Sequence, residues 1–414
     1  MNKNKWILVV AARPNFMKIA PLIRAIKSFN KQNSKKVFPL LVHTGQHYDV
    51  NMSDSFFRDL KLPKPDIHLG VGSGMHGEQT GKVLIEFEKV ILKEKPDLVI
   101  VVGDVNSTLA CALAAVKLNV PLAHVESGLR SFDRRMPEEI NRIVTDSISD
   151  FLFTPSEDGT ENLLKEGIQK EKIYLVGDIM IDSLLFNLPK AEKTGILKTL
   201  SLNKFQPDTG NSENKPARDY CLLTLHRPGN VDDRDVMGDI IKALLEVSRK
   251  IPIIFPVHPR TKKRIIEFEL DQYFEFYPLG EIKDHNYYSG GALTNKIHCI
   301  DPLGYLDFLN LMAQAKFVLT DSGGIQEETT VLNIPCVTIR DTTERPVTIT
   351  QGTNVLVGHD SEKIIFEAYQ ILDGHGRKGQ CPSIWDGRTA ERIVDILADE
   401  IIKSESDDEN NTTL

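Results

Sequence analysis

The sequence predicts an α/β protein built of two doubly wound lobes with a cleft between them, and three observations carry that expectation. Short unbroken apolar runs such as 6–10 and 98–102 recur along the chain, as expected of parallel strands covered on both faces. Segments of helical periodicity alternate with them at βαβ spacing. The pattern then runs twice, on either side of a polar, broken stretch at 189–219 centred on QPDTGNSENKPARD.

In the first lobe, strands are expected at 6–10, 37–42, 98–102, 121–125, 151–154 and 173–176. Helices are expected at 17–29, around Phe56, at 77–93 and 107–117, and behind Pro137. The second lobe reads as strands at 220–225, 253–257, 317–319, 336–339 and 354–357, with helices near 231–249, 306–314, 323–331 and 361–372. The segment between Tyr273 and His298, rich in Gly, Tyr and Asn, breaks the rhythm and reads as a surface insertion. A final amphipathic helix spans 388–403, and the polar tail 404–414 reads as disordered. The organisation is thus a lobe at 1–187, a second at 188–384, a helix at 385–403 and a tail.

Composition narrows the function. A chain of 414 residues with 41% hydrophobic and 26% charged residues is that of an ordinary soluble protein. The formal charge is −8, and Glu405, Asp407, Asp408 and Glu409 in the tail supply four of those charges. A mildly acidic body argues against a nucleic-acid groove or an anionic membrane surface. Five scattered cysteines without a CxxC pair fit reduced thiols in the cytoplasm better than disulfides or a zinc site. No apolar run approaches a membrane span, and MNKNK leads straight into a strand, so no leader is expected.

The polar clusters fall at the carboxyl ends of the expected strands, where open α/β sheets bind ligands. The 121–125 run stops at Glu126, and Glu138 and Glu139 open a helix behind Pro137. Carboxylates at a strand end and a helix start can share one cleft and move protons. The plainer alternative is that Glu126 ends the strand and Glu138 pairs with Arg142 one turn on. Thr320-Asp321-Ser322-Gly323-Gly324 is a strand, a Gly-rich turn and a helix start, which together form an anion site; a simple Ser N-cap is the alternative. Arg13 and Lys18 put two cations at a helix start, where the macrodipole disfavours them, so an anionic ligand would account for them better than a solvated pair. His226, at a strand end, and Arg345 add to the set, as does Asp104 after the 98–102 strand. Gly70 to Gly74 follows no clear strand, and Gly81-Lys82 lacks the Gly of a phosphate loop. No dinucleotide fingerprint follows the first strand, and no metal-ligand spacing is present.

Taken in order, ARPNFMKIAPL, HTGQHYD, VVGDVNSTLA, HVESGLRSFDRRMPEEINR, HRPGN, PVHPR, LTDSGGIQEE and RDTTERP closely resemble the non-hydrolysing UDP-N-acetylglucosamine 2-epimerases from about residue 6 to 402. The resemblance implies a GT-B-like pair of Rossmann-like lobes, with the C-terminal helix packing back on the first lobe. It also implies interconversion of UDP-N-acetylglucosamine and UDP-N-acetylmannosamine without NAD or metal, in a cytoplasmic homodimer serving polysaccharide biosynthesis. Carried over by position, Asp104, Glu126, Glu138 and His226 would be catalytic. Arg13, Lys18 and His226 would hold the diphosphate or sugar, and Asp104 and Glu126 would touch the sugar. Ser322, Gly323 and Gly324 would hold the phosphates, Glu328 the ribose, Arg345 the nucleotide-side anion, and Leu303 and Phe308 the uridine. Two departures stand out: HRPGN where many bacterial members have HRREN, and Glu78 where allosterically activated members carry an Arg. A 2-epimerase of a diacetamido or uronate UDP-sugar and a GT-B glycosyltransferase are the alternative readings.

Overall fold

The computed structural model describes residues 4–45, 62–202, 220–279 and 295–411, leaving aside the side chains of Arg13 and of 403–411. The helix expected around Phe56, most of the polar stretch before 220 and the centre of the 273–298 segment lie outside the described residues. The chain divides into two compact units, Met1–Phe186 with Ser383–Leu414, and Asn187–Pro382.

Each unit holds a seven-stranded sheet whose described pairings are all parallel. The first sheet comprises β1 (Asn4–Val10), β2 (Val37–His43), β3 (Ile67–His68), β4 (Leu98–Val102), β5 (Leu122–Val125), β6 (Phe151–Thr154) and β7 (Ile173–Leu175), in the order β3-β2-β1-β4-β5-β6-β7. Central β1 and β4 are buried throughout their apolar residues because helices cover both faces. Ile7, Val9, Val99 and Val101 pack with Val83 and Phe87 of the helix His76–Glu94 and with Ala110, Cys111 and Ala114 of the helix Asn106–Lys117. Each such Val, Leu or Ile is worth about 1.5–3 kcal/mol on burial.

The second sheet comprises β8 (Cys221–Thr224), β9 (Ile253–Pro256), β10 (Phe274–Tyr277), β11 (Ile297–Ile300), β12 (Phe317–Thr320), β13 (Cys336–Thr338) and β14 (Asn354–Leu356), ordered β10-β11-β9-β8-β12-β13-β14. The surface insertion expected between Tyr273 and His298 therefore needs correcting at both ends. Phe274 pairs with Ile297 and Tyr277 with Ile300, so β10 and β11 are strands of this sheet. Their four-residue length and the His-Cys pair inside IHCI hid the apolar run.

The helix expected to stop at Lys403 runs from Thr389 to Asn411, since no Gly or Pro interrupts the tail before its end. The disorder expected from residue 404 therefore does not hold for the backbone up to Asn411. Asp182, on the helix Ile179–Ala191, caps the helix start by accepting from the N–H groups of Thr389 (3.0 Å) and Ala390 (2.8 Å). Ile393, Val394, Leu397, Ala398 and Ile401 form its buried stripe, and it packs against the helix Arg13–Gln32 of the same unit. Lys35 Nζ donates to the Ile402 carbonyl at 2.9 Å.

The strand order reverses between β1 and β4 in the first sheet and between β8 and β12 in the second, where β11 also inserts inside the edge strand β10. Chains leave such neighbouring strands in opposite directions, which opens a crevice at their carboxyl ends.

Candidate functional site

At the crevice of the first unit, the turn after β1 and the turn after β4 are tied together by Asn15. Its Oδ1 accepts from the Ala12 N–H (2.9 Å), and its Nδ2 donates to the Val102 carbonyl (3.0 Å). Gly103 follows with φ +68°, and a Cβ there would lie 2.9 Å from Lys18 Nζ and 3.4 Å from Glu126 Oε2. Only glycine suits both that backbone and that approach. Lys18 and Glu126 form an ion pair, each 6% exposed, so Lys18 is not the solvated cation of the plainer alternative. Glu126 itself sits in the left-handed region at φ +71°. A non-glycine residue is held there at a cost of about 1–3 kcal/mol, a strain that clusters at functional positions.

Asp104 Oδ2 accepts from Arg142 Nη1 at 2.5 Å, while the Asp104 carbonyl accepts from Asn141 Nδ2 at 2.8 Å. The partner of Arg142 within its helix is Glu139 (2.7 Å), whereas Glu138 makes no hydrogen bond or ion pair among the described residues. The alternative pairing of Glu138 with Arg142 is therefore corrected: position 139 faces inward and position 138 outward. Glu139 also accepts from the backbone N–H groups of Ser131 and Phe132 at 2.9 Å each. Burial pushes its carboxyl up; the Ser131 and Phe132 amides and Arg142 more than offset this and hold it below the usual range.

The second unit presents the opposite charge. Asp321, fully buried after β12, accepts from the backbone N–H groups of His226 (2.8 Å) and Arg227 (2.7 Å), and its Oδ1 lies 2.9 Å from His226 Nδ1. That carboxylate assigns the proton to Nδ1, which leaves Nε2 of the half-exposed ring as the outward atom. Burial raises the Asp321 carboxyl, but the His226 contact and the two amides outweigh it and hold it low.

Ser322 stands at the N-cap of the helix Gly323–Leu332 without a capping bond from its hydroxyl, so the simple cap is not what the structure has. Beside Gly323 lies Arg345, paired through Nε with Glu327 and through Nη1 with Glu344. Glu344 also holds Arg340 at 2.8 Å. Burial would raise the Glu344 carboxyl, and Arg345, Arg340 and Arg227 drive it far below the usual range. One turn along, Glu328 accepts from the Tyr305 hydroxyl at 3.1 Å. Tyr305 opens the helix Tyr305–Gln314, which carries Phe308 and is capped by Gly304, the residue after Leu303.

Of the residues expected from the sequence, Lys18, Asp104 and Glu126 thus gather with the turns at the first crevice. Ser322, Gly323, Gly324 and Arg345 gather at the second with His226, Glu328 is bonded to Tyr305, and Phe308 lies on the helix that Tyr305 opens, with Leu303 just before it. Arg13 begins its helix at the first crevice. Among the described residues no group of three or more His, Cys, Asp or Glu is placed to hold a metal ion.

A family model described as UDP-N-acetylglucosamine 2-epimerase matches residues 30–398. The chain belongs to that family. A UDP-N-acetylglucosamine 2-epimerase of Methanocaldococcus jannaschii is 45% identical over 95% of this chain and 98% of that protein. A UDP-2,3-diacetamido-2,3-dideoxy-D-glucuronate 2-epimerase of Pseudomonas aeruginosa is 41% identical over 95% and 99%. The crystal structure of the M. jannaschii epimerase in complex with UDP-GlcNAc and UDP matches with a TM-score of 0.80 at 44% identity, covering 95% of this chain and 99% of that one. The two Rossmann-like units are those of a GT-B-like α/β fold, as for the epimerases of this family.

The inward face of one helix was not expected from the sequence. Glu139, Asn141, Arg142, Thr145 and Asp146 form the buried face of the helix Pro137–Ile148, a charged stripe where an apolar one is the rule. Their spacing was legible as a helical face. Their burial was not, because buried charges need partners that only the tertiary fold supplies.

Proposed function

We propose that this member of the family is a UDP-N-acetylglucosamine 2-epimerase that works by elimination and re-addition of UDP. The C2 proton of such a sugar has no adjacent carbonyl to acidify it, so the C1–oxygen bond must break first or in concert. The bonding pair leaves with the β-phosphate oxygen of UDP, a carboxylate takes the C2 proton, and a C1–C2 double bond remains in 2-acetamidoglucal. A proton delivered to the opposite face of C2 and attack of the UDP oxygen on C1 give the epimer. The sum balances without any redox step.

In this reading Asp104, Glu126 and Glu138 handle the proton and orient the sugar, with Lys18 paired to Glu126. His226 Nε2 acts on the sugar or the diphosphate. Arg13, Arg345 and the Ser322-Gly323-Gly324 helix start stabilise the departing diphosphate. Glu328 accepts from the ribose hydroxyls, while the Leu303 backbone and Phe308 meet the uridine. The observation that supports this most is the split between the two crevices: strand-end carboxylates fixed by buried cations in one, and an arginine and a helix start fixed by buried carboxylates in the other.

We also propose a cytoplasmic homodimer. Five free cysteines fit a reducing compartment, and Ile85 and Leu92, seven residues apart on the helix His76–Glu94, leave apolar side chains exposed. Sedimentation at the mass of one chain would contradict the dimer. No helix among the described residues is long and apolar enough to cross a membrane.

The near-equal identity to the diacetamidoglucuronate enzyme supports a second substrate reading, so the test has two arms. Purified protein is incubated in deuterium oxide with each UDP-sugar and followed by proton NMR. Deuterium at C2 of UDP-N-acetylglucosamine, with UDP-N-acetylmannosamine formed intact, is the expected result. Exchange only in the diacetamido uronate moves the assignment to that sugar. Free hexosamine, or no exchange in either arm, rules out the proposal.

A further inference from the structure

We propose that the buried His124–Asp146 pair is a positioning element of the reaction, setting the ends of β4 and β5 so that Asp104 and Glu126 stand in register. The inference rests on the reading that these two carboxylates work at C2.

His124 lies within β5, where a sheet covered on both faces calls for an apolar residue, and it is fully buried. Its Nε2 donates to the Gly103 carbonyl at 2.9 Å, and its Nδ1 lies 2.6 Å from Asp146 Oδ1. Gly103 is the residue immediately before Asp104, so one ring nitrogen fixes the chain that carries the first carboxylate. The other nitrogen leads to the second. Asp146 Oδ2 accepts from the Gly128 N–H at 3.1 Å and from Arg130 Nη1 at 2.7 Å. The carboxylate thus holds the His124 ring two residues before Glu126 and the Gly128 N–H two residues after it, and Glu126 is the residue held at φ +71°. Strained backbone persists only where its surroundings over-determine it, and this pair adds to the Phe153 carbonyl, which accepts from the Glu126 and Ser127 N–H groups, to supply that constraint. Arg130 is anchored in turn by two bonds to Glu166, from Nε (2.8 Å) and Nη2 (2.7 Å).

Stability alone does not account for such a network, since buried ion pairs gain little over well-packed apolar side chains. The same helix face also sends Arg142 to Asp104 and Glu139 to the Ser131–Phe132 turn. Three charges at positions 139, 142 and 146 therefore each reach a different piece of the crevice. His124–Asp146 is the one that reaches both carboxylate-bearing strands.

The test compares variants that cut one link at a time. An asparagine amide at position 124 can replace Nδ1 and loses the Gly103 bond; a glutamine amide can replace Nε2 and keeps it. His124→Asn and Asp146→Asn are expected to lose about 100-fold in kcat, the size of a misplacement of about 1 Å. Their UDP dissociation constants stay within about threefold of the parent, and C2 deuterium exchange falls in step with turnover. His124→Gln recovers at least about tenfold over His124→Asn, and Glu166→Gln, at the solvent edge of the network, stays within about threefold. Folded, UDP-binding His124→Asn and Asp146→Asn variants with parental kcat overturn the inference alone. So does joint loss of folding and UDP binding in His124→Asn, His124→Gln and Asp146→Asn, which makes the pair merely structural. No C2 exchange in the parent overturns the functional reading, and this inference with it.

Discussion

The two crevices are built alike and charged oppositely. In the first unit, carboxylates at the strand ends are posted by buried cations: Lys18 on Glu126 and Arg142 on Asp104. In the second, a histidine and an arginine are posted by buried carboxylates: Asp321 on His226, Glu327 and Glu344 on Arg345. A parallel sheet supplies the same geometry at both places, so the charge of the side chain left facing out distinguishes the two. One arrangement suits moving a proton and the other suits holding an anion. The counter-charges behind them fix geometry, because breaking a buried pair from one side costs about 3–5 kcal/mol.

This contrast can be broken one side chain at a time. The largest effect is expected for Glu126→Gln, which removes the proton acceptor but keeps its shape: kcat falls by about 10³ while the UDP dissociation constant changes by less than about threefold. A parallel loss of UDP binding, read by calorimetry, would erase the division between the crevices. Arg345→Gln is the mirror experiment. UDP affinity should fall by about 100-fold, more than kcat at saturation does, because a charge-assisted contact to the diphosphate is lost. Equal losses in kcat and in kcat/KM would assign Arg345 to the transition state instead.

Gly323→Ala sharpens the comparison sterically. The added Cβ would sit 2.6 Å from Arg345 Nη1 and 2.8 Å from Glu344 Oε1, so about 1–3 kcal/mol of stability is lost in denaturant melts. The smallest effect concerns His43, stacked between Phe16 and His68 at the end of β2. Burial, with a smaller push from His68, lowers it to about 4. The unfolded chain takes up this proton near pH 6.5, so the histidine costs nothing above that pH. As pH falls towards the folded value it destabilises the fold, by about 1 kcal/mol at pH 6. His43→Phe should remove that increment from the pH dependence of unfolding; an unchanged slope would contradict it.

Much of this was legible in the residues alone. The strands at 98–102 and 151–154 have the expected bounds, because a covered parallel strand must be apolar at every position. The turns at the strand ends were legible too, since Gly103-Asp104, Glu126 and Ser322-Gly323-Gly324 each interrupt an apolar run abruptly. What stayed hidden were the supporting partners. Nothing local distinguishes Glu139 from Glu138, or shows that Asp146 and His124 are buried against each other, because their partners lie on other elements. The pairing of β10 with β11 was hidden for a similar reason: short strands with a buried His298 carry too little periodicity to be read before their neighbours are known.

The central claim is that the first unit moves the C2 proton and the second holds the nucleotide. The most direct measurement is the rate of C2 deuterium exchange in Glu126→Gln saturated with UDP-N-acetylglucosamine. A drop of about 10³ with UDP affinity intact is the predicted result; exchange at the parental rate under saturation would contradict it.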